Sequence, residues 1–190
     1  MSERIHEVLL VTRNADGSPH IAPMGLRRRG ALWLLAPFRP SGTLDNLLRS
    51  GVASVNTTDD VRIYAGCLSG RYDWPLSPCR HIDGLHLRDA LAHRELRVVQ
   101  SGDDPQRPEI LCEQLAEFNH RPFQGYNRAQ AAVLELAILV SRLHMLPPEK
   151  IDAELAYLQI AMDKTAGTSE LEAWEWLMQR VRAHRSRDCA

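Results

Sequence analysis

The sequence predicts an α+β fold, a small β-barrel followed by three helices. Two observations lead to it. Through the first half, short runs of strand-forming residues alternate with turn signals. From Arg128 onward the apolar period becomes helical. A chain of 190 residues can bury a core without disulfides or a structural metal. The division expected is a barrel over residues 1–122 and a helical segment over residues 123–190.

The strands come first. Residues 7–12 and 20–26 flank Asn14-Ala15-Asp16-Gly17-Ser18, a cluster of turn formers, which is a hairpin signal. A third strand, 31–36, ends at Pro37. Strand character resumes at 52–56, again at 61–68, and at 95–99; residues 109–118 fit either a strand or a helix. Residues 69–94, rich in Pro, Gly and His, show no period and are either a loop over a site or a surface excursion. A short helix is expected over 44–49, closed by Gly51. In the second half, helices are expected over 128–146, stopped by Pro147-Pro148, over 149–163, and from Ser169 to about Arg185. Ser169 and Glu172 form a capping box for the last of these. Leu171, Trp174, Leu177, Met178 and Val181 then form one apolar stripe, with Trp176 turned to another side as a candidate dimer contact.

Composition narrows the function classes. A net charge of -1 gives no global electrostatic reason to bind nucleic acid or an anionic membrane. All basic residues but Lys150 and Lys164 are Arg, a bias attributed to codon usage. The most apolar run, 129–140, carries Gln130 and Glu135 and is too short to span a bilayer, so it reads as a buried helix. Cys67, Cys79, Cys112 and Cys189 show no metal-finger spacing. No apolar signal segment follows Met1, so free thiols and a cytoplasmic location are expected.

The segment richest in chemistry is Arg39-Pro40-Ser41-Gly42-Thr43-Leu44-Asp45-Asn46, a loop opening a helix. Unpaired N–H groups and the dipole at a helix start suit an anion. Ser41 and Thr43 can add hydroxyls, Gly42 allows close backbone approach, and Arg39 can pair with phosphate. The plainer alternative is that Ser41 or Thr43 caps the helix and Arg39 is solvated. Upstream, Pro23 and Gly25 leave a bare strand edge against which a flat ring can lie. Asn56, ending a strand, can offer its amide to such a ring.

Pro23-Met24-Gly25, then Arg39-Pro-Ser-Gly-Thr43-x-x-Asn46-Leu, then Val55-Asn56 resemble the flavin-reductase-like FMN-binding split barrels. The fuller resemblance is to a largely uncharacterised branch of that superfamily with archaeal and methylotroph members. That branch adds segments like Phe123-Gln-Gly-Tyr-Asn-Arg-Ala129 and Lys164-Thr-Ala-Gly-Thr-Ser-Glu170. The ordered combination is specific where no single motif is. It implies a split barrel and a homodimer with FMN at or near the subunit interface. Arg39, Ser41, Gly42 and Thr43 would serve the phosphate, Pro23, Met24 and Gly25 the isoalloxazine, and Asn56 its polar edge, with Asn46 a further cofactor-binding residue. Residues 79–86 match no part of this pattern, which leaves the substrate wall unassigned.

Other candidates have plainer readings. Glu135 is a site acid, or else a structural ion pair or a position on a polar face. Cys79, His81 and His86 lack regular ligand spacing, and no metal is expected. Residues 164–168 lack the upstream glycine and strand of a phosphate loop and read as a turn between helices. Asn127 reads as an N-cap. No nucleophile–base triad stands out. The function expected is an FMN-dependent oxidoreductase acting on a small molecule. The alternatives are a non-catalytic flavin carrier or sensor, and a ligand-free dimeric scaffold.

Overall fold

The computed structural model describes residues 4–188; Met1 and Cys189 fall outside them. The chain forms two compact units, one of residues up to Thr58 with Asp73–Phe123, the other of Asp59–Tyr72 with the chain from Gln124 on. In the first, strands β1 (Ile5–Arg13), β2 (Pro19–Arg29), β3 (Leu32–Leu35), β4 (Val52–Thr57), β7 (Ala92–Ser101) and β8 (Ile110–Asn119) close into a barrel. Its order is β1-β2-β3-β8-β7-β4, with every neighbouring pair antiparallel. A hairpin of β5 (Leu76–Pro78) and β6 (Leu85–Leu87) forms a second, two-stranded sheet. The segment without a sequence period therefore contains this hairpin.

Alternation sets the core. Val8, Leu10, Leu26, Leu35, Val55 and Leu96, with their same-parity neighbours, fill the barrel. Helix α1 (Gly42–Ser50) adds Leu44 and Leu47 to that cluster. Residues 109–118, ambiguous in sequence, are strand β8; register shifts against β7 between Glu95 and Leu96 and between Val98 and Gln100 blur its period.

In the second unit, residues 61–68 correct the sequence expectation: they form helix α2 (Arg62–Ser69), not a strand. Val61, Ile63 and Ala65 alternate like a strand, but Tyr64 between them and Gly66 after them are also buried. Asp60 holds the entry by accepting from the Arg62 N–H at 3.1 Å, and Gly70 closes the helix at φ 82°. Helix α3 (Arg128–Ser141) ends earlier than expected, followed by a 3₁₀ turn at Leu143–Met145. Asn127 caps it, accepting from the N–H groups of Ala129 and Gln130. Helix α4 (Pro148–Thr165) follows, then α5 (Thr168–Asp188).

The capping box is displaced from its expected residues. α5 begins at Thr168, and Glu170 accepts from the Gly167 N–H at 2.9 Å, while Glu172 pairs with Arg62. Trp174, Leu177 and Val181 are buried as the stripe requires, but Leu171 is 54% exposed. Trp176 packs beside the helical core, with the Arg71 guanidinium 4.4 Å above its ring. Glu135 is exposed on α3 and lines a surface depression with Tyr157 and Leu158. Among the described residues no helix is long and apolar enough to cross a membrane.

Leu96 is fully buried at the centre of the barrel core. Leu96→Ala is expected to lower unfolding free energy by about 2–5 kcal/mol, measured by urea denaturation. A change under about 1 kcal/mol would contradict a tightly packed barrel interior.

Candidate functional site

The outer wall of the barrel carries a cleft of about 290 Å³. Pro23, Met24 and Gly25 of β2 form one side, and Ala36, Pro37, Phe38, Pro40 and Ser41 the other. Its charged lining residues are Glu7 and Arg107. Pro23 and Gly25 pair with Leu9 and Glu7 across the β1–β2 ladder. Gly25 leaves room for Ile5: a Cβ there would come within 2.9 Å of Ile5 Cγ2, so the half-exposed Ile5 side chain would have to shift.

The opposite side is strapped in place from far along the chain. The Arg39 N–H donates to the Gln106 carbonyl at 2.8 Å, and Arg107 Nε donates to the Ala36 carbonyl at 3.0 Å. The Arg107 guanidinium lies 4.6 Å over the Phe38 ring. Asp104 fixes this strap by accepting from the N–H groups of Arg107 and Gln106, which hold its carboxyl below the usual range.

At the cleft's edge α1 begins. Ser41 is its N-cap, its hydroxyl accepting from the Leu44 N–H at 3.3 Å. The first two N–H groups of the helix, on Gly42 and Thr43, have no acceptor among the described residues. Thr43 is buried, with its hydroxyl 2.9 Å from His20 Nε2. The His20 ring also lies beside Gly42, where a Cβ would meet it at 3.6 Å. Arg39 is exposed.

Two expected site residues turn their amides elsewhere. Asn46 is buried and donates to Thr12 Oγ1 at 3.1 Å and Asn14 Oδ1 at 3.0 Å, tying α1 to the β1–β2 turn. Asn56 is fully buried; it donates to the Leu9 carbonyl and Ser54 Oγ, and its oxygen accepts from the Leu87 N–H at 2.9 Å. These bonds fasten β6 to β4 and β1 rather than facing the cleft. Glu7, Phe38, Arg107 and His20 are the participants that sequence reasoning left out. His20 alone had a signal, since it opens the strand leading to Pro23.

A second polar cluster lies on the outer face of β7. Cys79 and His86, singled out in the sequence, meet His93, Glu95 and His120 there, while His81 stacks over Phe118. Burial, then the neighbouring His86, pushes His93 down to about 4. Burial pushes the Cys67, Cys79 and Cys112 thiols up to about 12, so none of the three is a ready nucleophile.

Burial also holds the His20 imidazole below its ordinary value of 6.5. The unfolded chain therefore binds more protons at this site than the folded one. Its contribution to stability is present above about pH 6.5 and is lost as pH falls. Urea midpoints are expected to drop from about pH 7.5 to about pH 5.5, with a smaller drop in His20→Gln; equal drops would exclude His20 from this effect.

Two family models match the chain, and the first runs through residues 59–72, which fold with the second unit. A family model described as the N-terminal domain of a protein of unknown function, DUF447, matches residues 6–120. A second, described as protein of unknown function DUF447, matches residues 127–179. No curated protein matches the sequence. Among solved structures, an FMN-bound DUF447 protein from Methanosarcina mazei is 18% identical, with a TM-score of 0.80, over 94% of this chain and 96% of its own. The 2-nitrobenzoate 2-nitroreductase of Pseudomonas fluorescens is 21% identical with a TM-score of 0.53, over 63% of this chain and 66% of its own. An NADH:FAD oxidoreductase of Streptomyces globisporus is 11% identical with a TM-score of 0.52, over 62% of this chain and 78% of its own. At these identities the likeness is one of fold, a split barrel. With family models covering both the barrel and the helices, the chain belongs to the DUF447 family.

Proposed function

We propose that the protein binds FMN in the cleft beside Pro23–Gly25 and is an oxidoreductase acting on a small molecule. The observation that carries this is the junction of a largely apolar wall with a helix N-terminus whose Gly42 and Thr43 N–H groups have no acceptor among the described residues. The isoalloxazine fits along Pro23, Met24 and Gly25, and the phosphate fits the N–H groups of α1 with Ser41, Thr43 and the exposed Arg39. Asn46 and Asn56 support this arrangement from behind by fixing α1 and β6. The FMN-bound family member, similar over nearly its whole length, supports the same reading.

Bound flavin supplies the hydride or electron chemistry, so the chain's own groups need only bind, orient and screen it. The Arg107–Phe38 strap walls one side, and the neutral His20 positions Thr43. The cleft is an open groove, which favours a second copy of the chain as its cover and thus a homodimer. Cys67, Cys79 and Cys112 stand in no disulfide, which fits a cytoplasmic location.

Titration of the full chain with FMN, followed by flavin fluorescence, tests the assignment. Saturable binding is expected, weakened about tenfold or more in Arg39→Ala through loss of a charge-assisted bond to phosphate, and weakened also in Thr43→Ala. Unchanged affinity in both variants would move the phosphate elsewhere. No binding by the parent chain would leave only a ligand-free scaffold. Oxidation of a nicotinamide cofactor by the loaded protein separates an enzyme from a flavin carrier.

A further inference from the structure

We infer that Cys79, His93 and Glu95 form a site for one divalent transition-metal ion of zinc type, apart from the flavin cleft. Their ligand atoms lie within 4.8 Å of one another. Strand alternation explains two of them: His93 and Glu95 are two apart on β7 and so share its outer face. Both are buried, His93 at 3% exposure and Glu95 at 0%. Cys79 arrives from the end of the β5–β6 hairpin, held there by its N–H donating to the Gly84 carbonyl at 2.9 Å.

The spacing between the ring nitrogen and the carboxylate is the informative distance. His93 Nε2 lies 3.4 Å from Glu95 Oε1. That is long for a charge-assisted hydrogen bond between such groups. Two ligands about 2.0–2.1 Å from a tetrahedral zinc stand about 3.3 Å apart, close to the spacing found. The ion fits between them, with the Cys79 sulfur as third ligand and the fourth position open to water. Thiolate, imidazole and carboxylate together select zinc over calcium or magnesium, which take oxygen alone.

The surroundings are those of a metal ligand set. The Glu95 carboxylate is aimed by the N–H groups of Arg80 (2.7 Å to Oε1) and His81 (2.6 Å to Oε2), leaving lone pairs on both oxygens. His93 Nδ1 lies 2.8 Å from His120 Nε2. With the proton on Nδ1 and His120 accepting it, His93 Nε2 presents its lone pair to the ion. Binding replaces the Cys79 thiol proton by the ion, and that proton leaves to solvent.

The neighbouring group of His86, His93 and His120 is the weaker candidate, although its ligand atoms fall within the same 4.8 Å. The His86 and His93 rings lie parallel within 3°, with centroids 3.9 Å apart. An imidazole lone pair lies in its ring plane, and stacked rings cannot both direct theirs at one ion. His86 instead turns Nδ1 to the Leu87 carbonyl at 3.0 Å.

Metal titration of the purified full chain, stripped with chelator and kept reduced, tests the site. Cobalt(II) is expected to bind at one per chain with the red absorption of a tetrahedral thiolate site, outside the flavin bands, and zinc is expected to displace it. Cys79→Ser should lose the thiolate signature and His93→Gln should weaken binding at least a hundredfold, while Cys67→Ser behaves as the parent. Far-UV circular dichroism of each variant establishes that it is folded. Failure of the parent to retain cobalt or zinc at micromolar free ion would overturn the proposal. So would an unchanged cobalt spectrum in folded Cys79→Ser.

Discussion

Closing six antiparallel strands on themselves removes every free edge and commits one face of each strand to an apolar interior. Most polar groups of the barrel must then occupy the outer wall or a rim. The cleft and the Cys79–His93–Glu95 cluster are both on that wall. Leu96 faces the core, while Glu95, its immediate neighbour on β7, anchors the cluster outside. The same alternation that builds the hydrophobic interior therefore presents the chemistry.

The buried amides of Asn46 and Asn56 show how the wall is kept in shape. Each sits where a polar group is costly unless satisfied, and each is satisfied by groups from other elements. Asn46 joins α1 to the β1–β2 turn, and Asn56 joins β6 to β1 and β4. In the helical unit the same logic links the two late motifs. Asn127 donates to the Thr165 carbonyl at 3.0 Å, the Ala129 N–H reaches Thr165 Oγ1 at 3.0 Å, and Gln130 donates to Glu170 at 3.2 Å. Motif residues here are fasteners between segments distant in sequence.

Much of the fold was legible because alternation and turn chemistry are local signals. Five strands, the short helix behind Ser41 and the three late helices all stand close to where the pattern puts them. Residues 61–68 failed because alternation at Val61, Ile63 and Ala65 is the same in a strand and in a helix buried on most sides. Packing against α3 and α5, invisible in the segment itself, decides between them. In the cleft, Pro23, Met24, Gly25 and Ser41 were legible and are brought together. Glu7, Phe38 and Arg107 were not, since their roles depend on barrel register and on a strap arriving from residues 104–107. The cluster on β7 was half visible. Cys79 and His86 drew notice, but His93 and Glu95 look like ordinary strand residues until the ladder places the hairpin over them.

The placement of α2 bears on how such a protein is made and inherited. Residues 59–72 leave the ribosome between two barrel strands, yet the helices whose residues cluster with Val61 and Ala65 are synthesised later. Without those later helices the apolar face of α2 has nothing of its own cluster to pack against. A gene split between barrel and helices would strand it in the wrong half. The two units can therefore be told apart by eye and still be transmitted only as one.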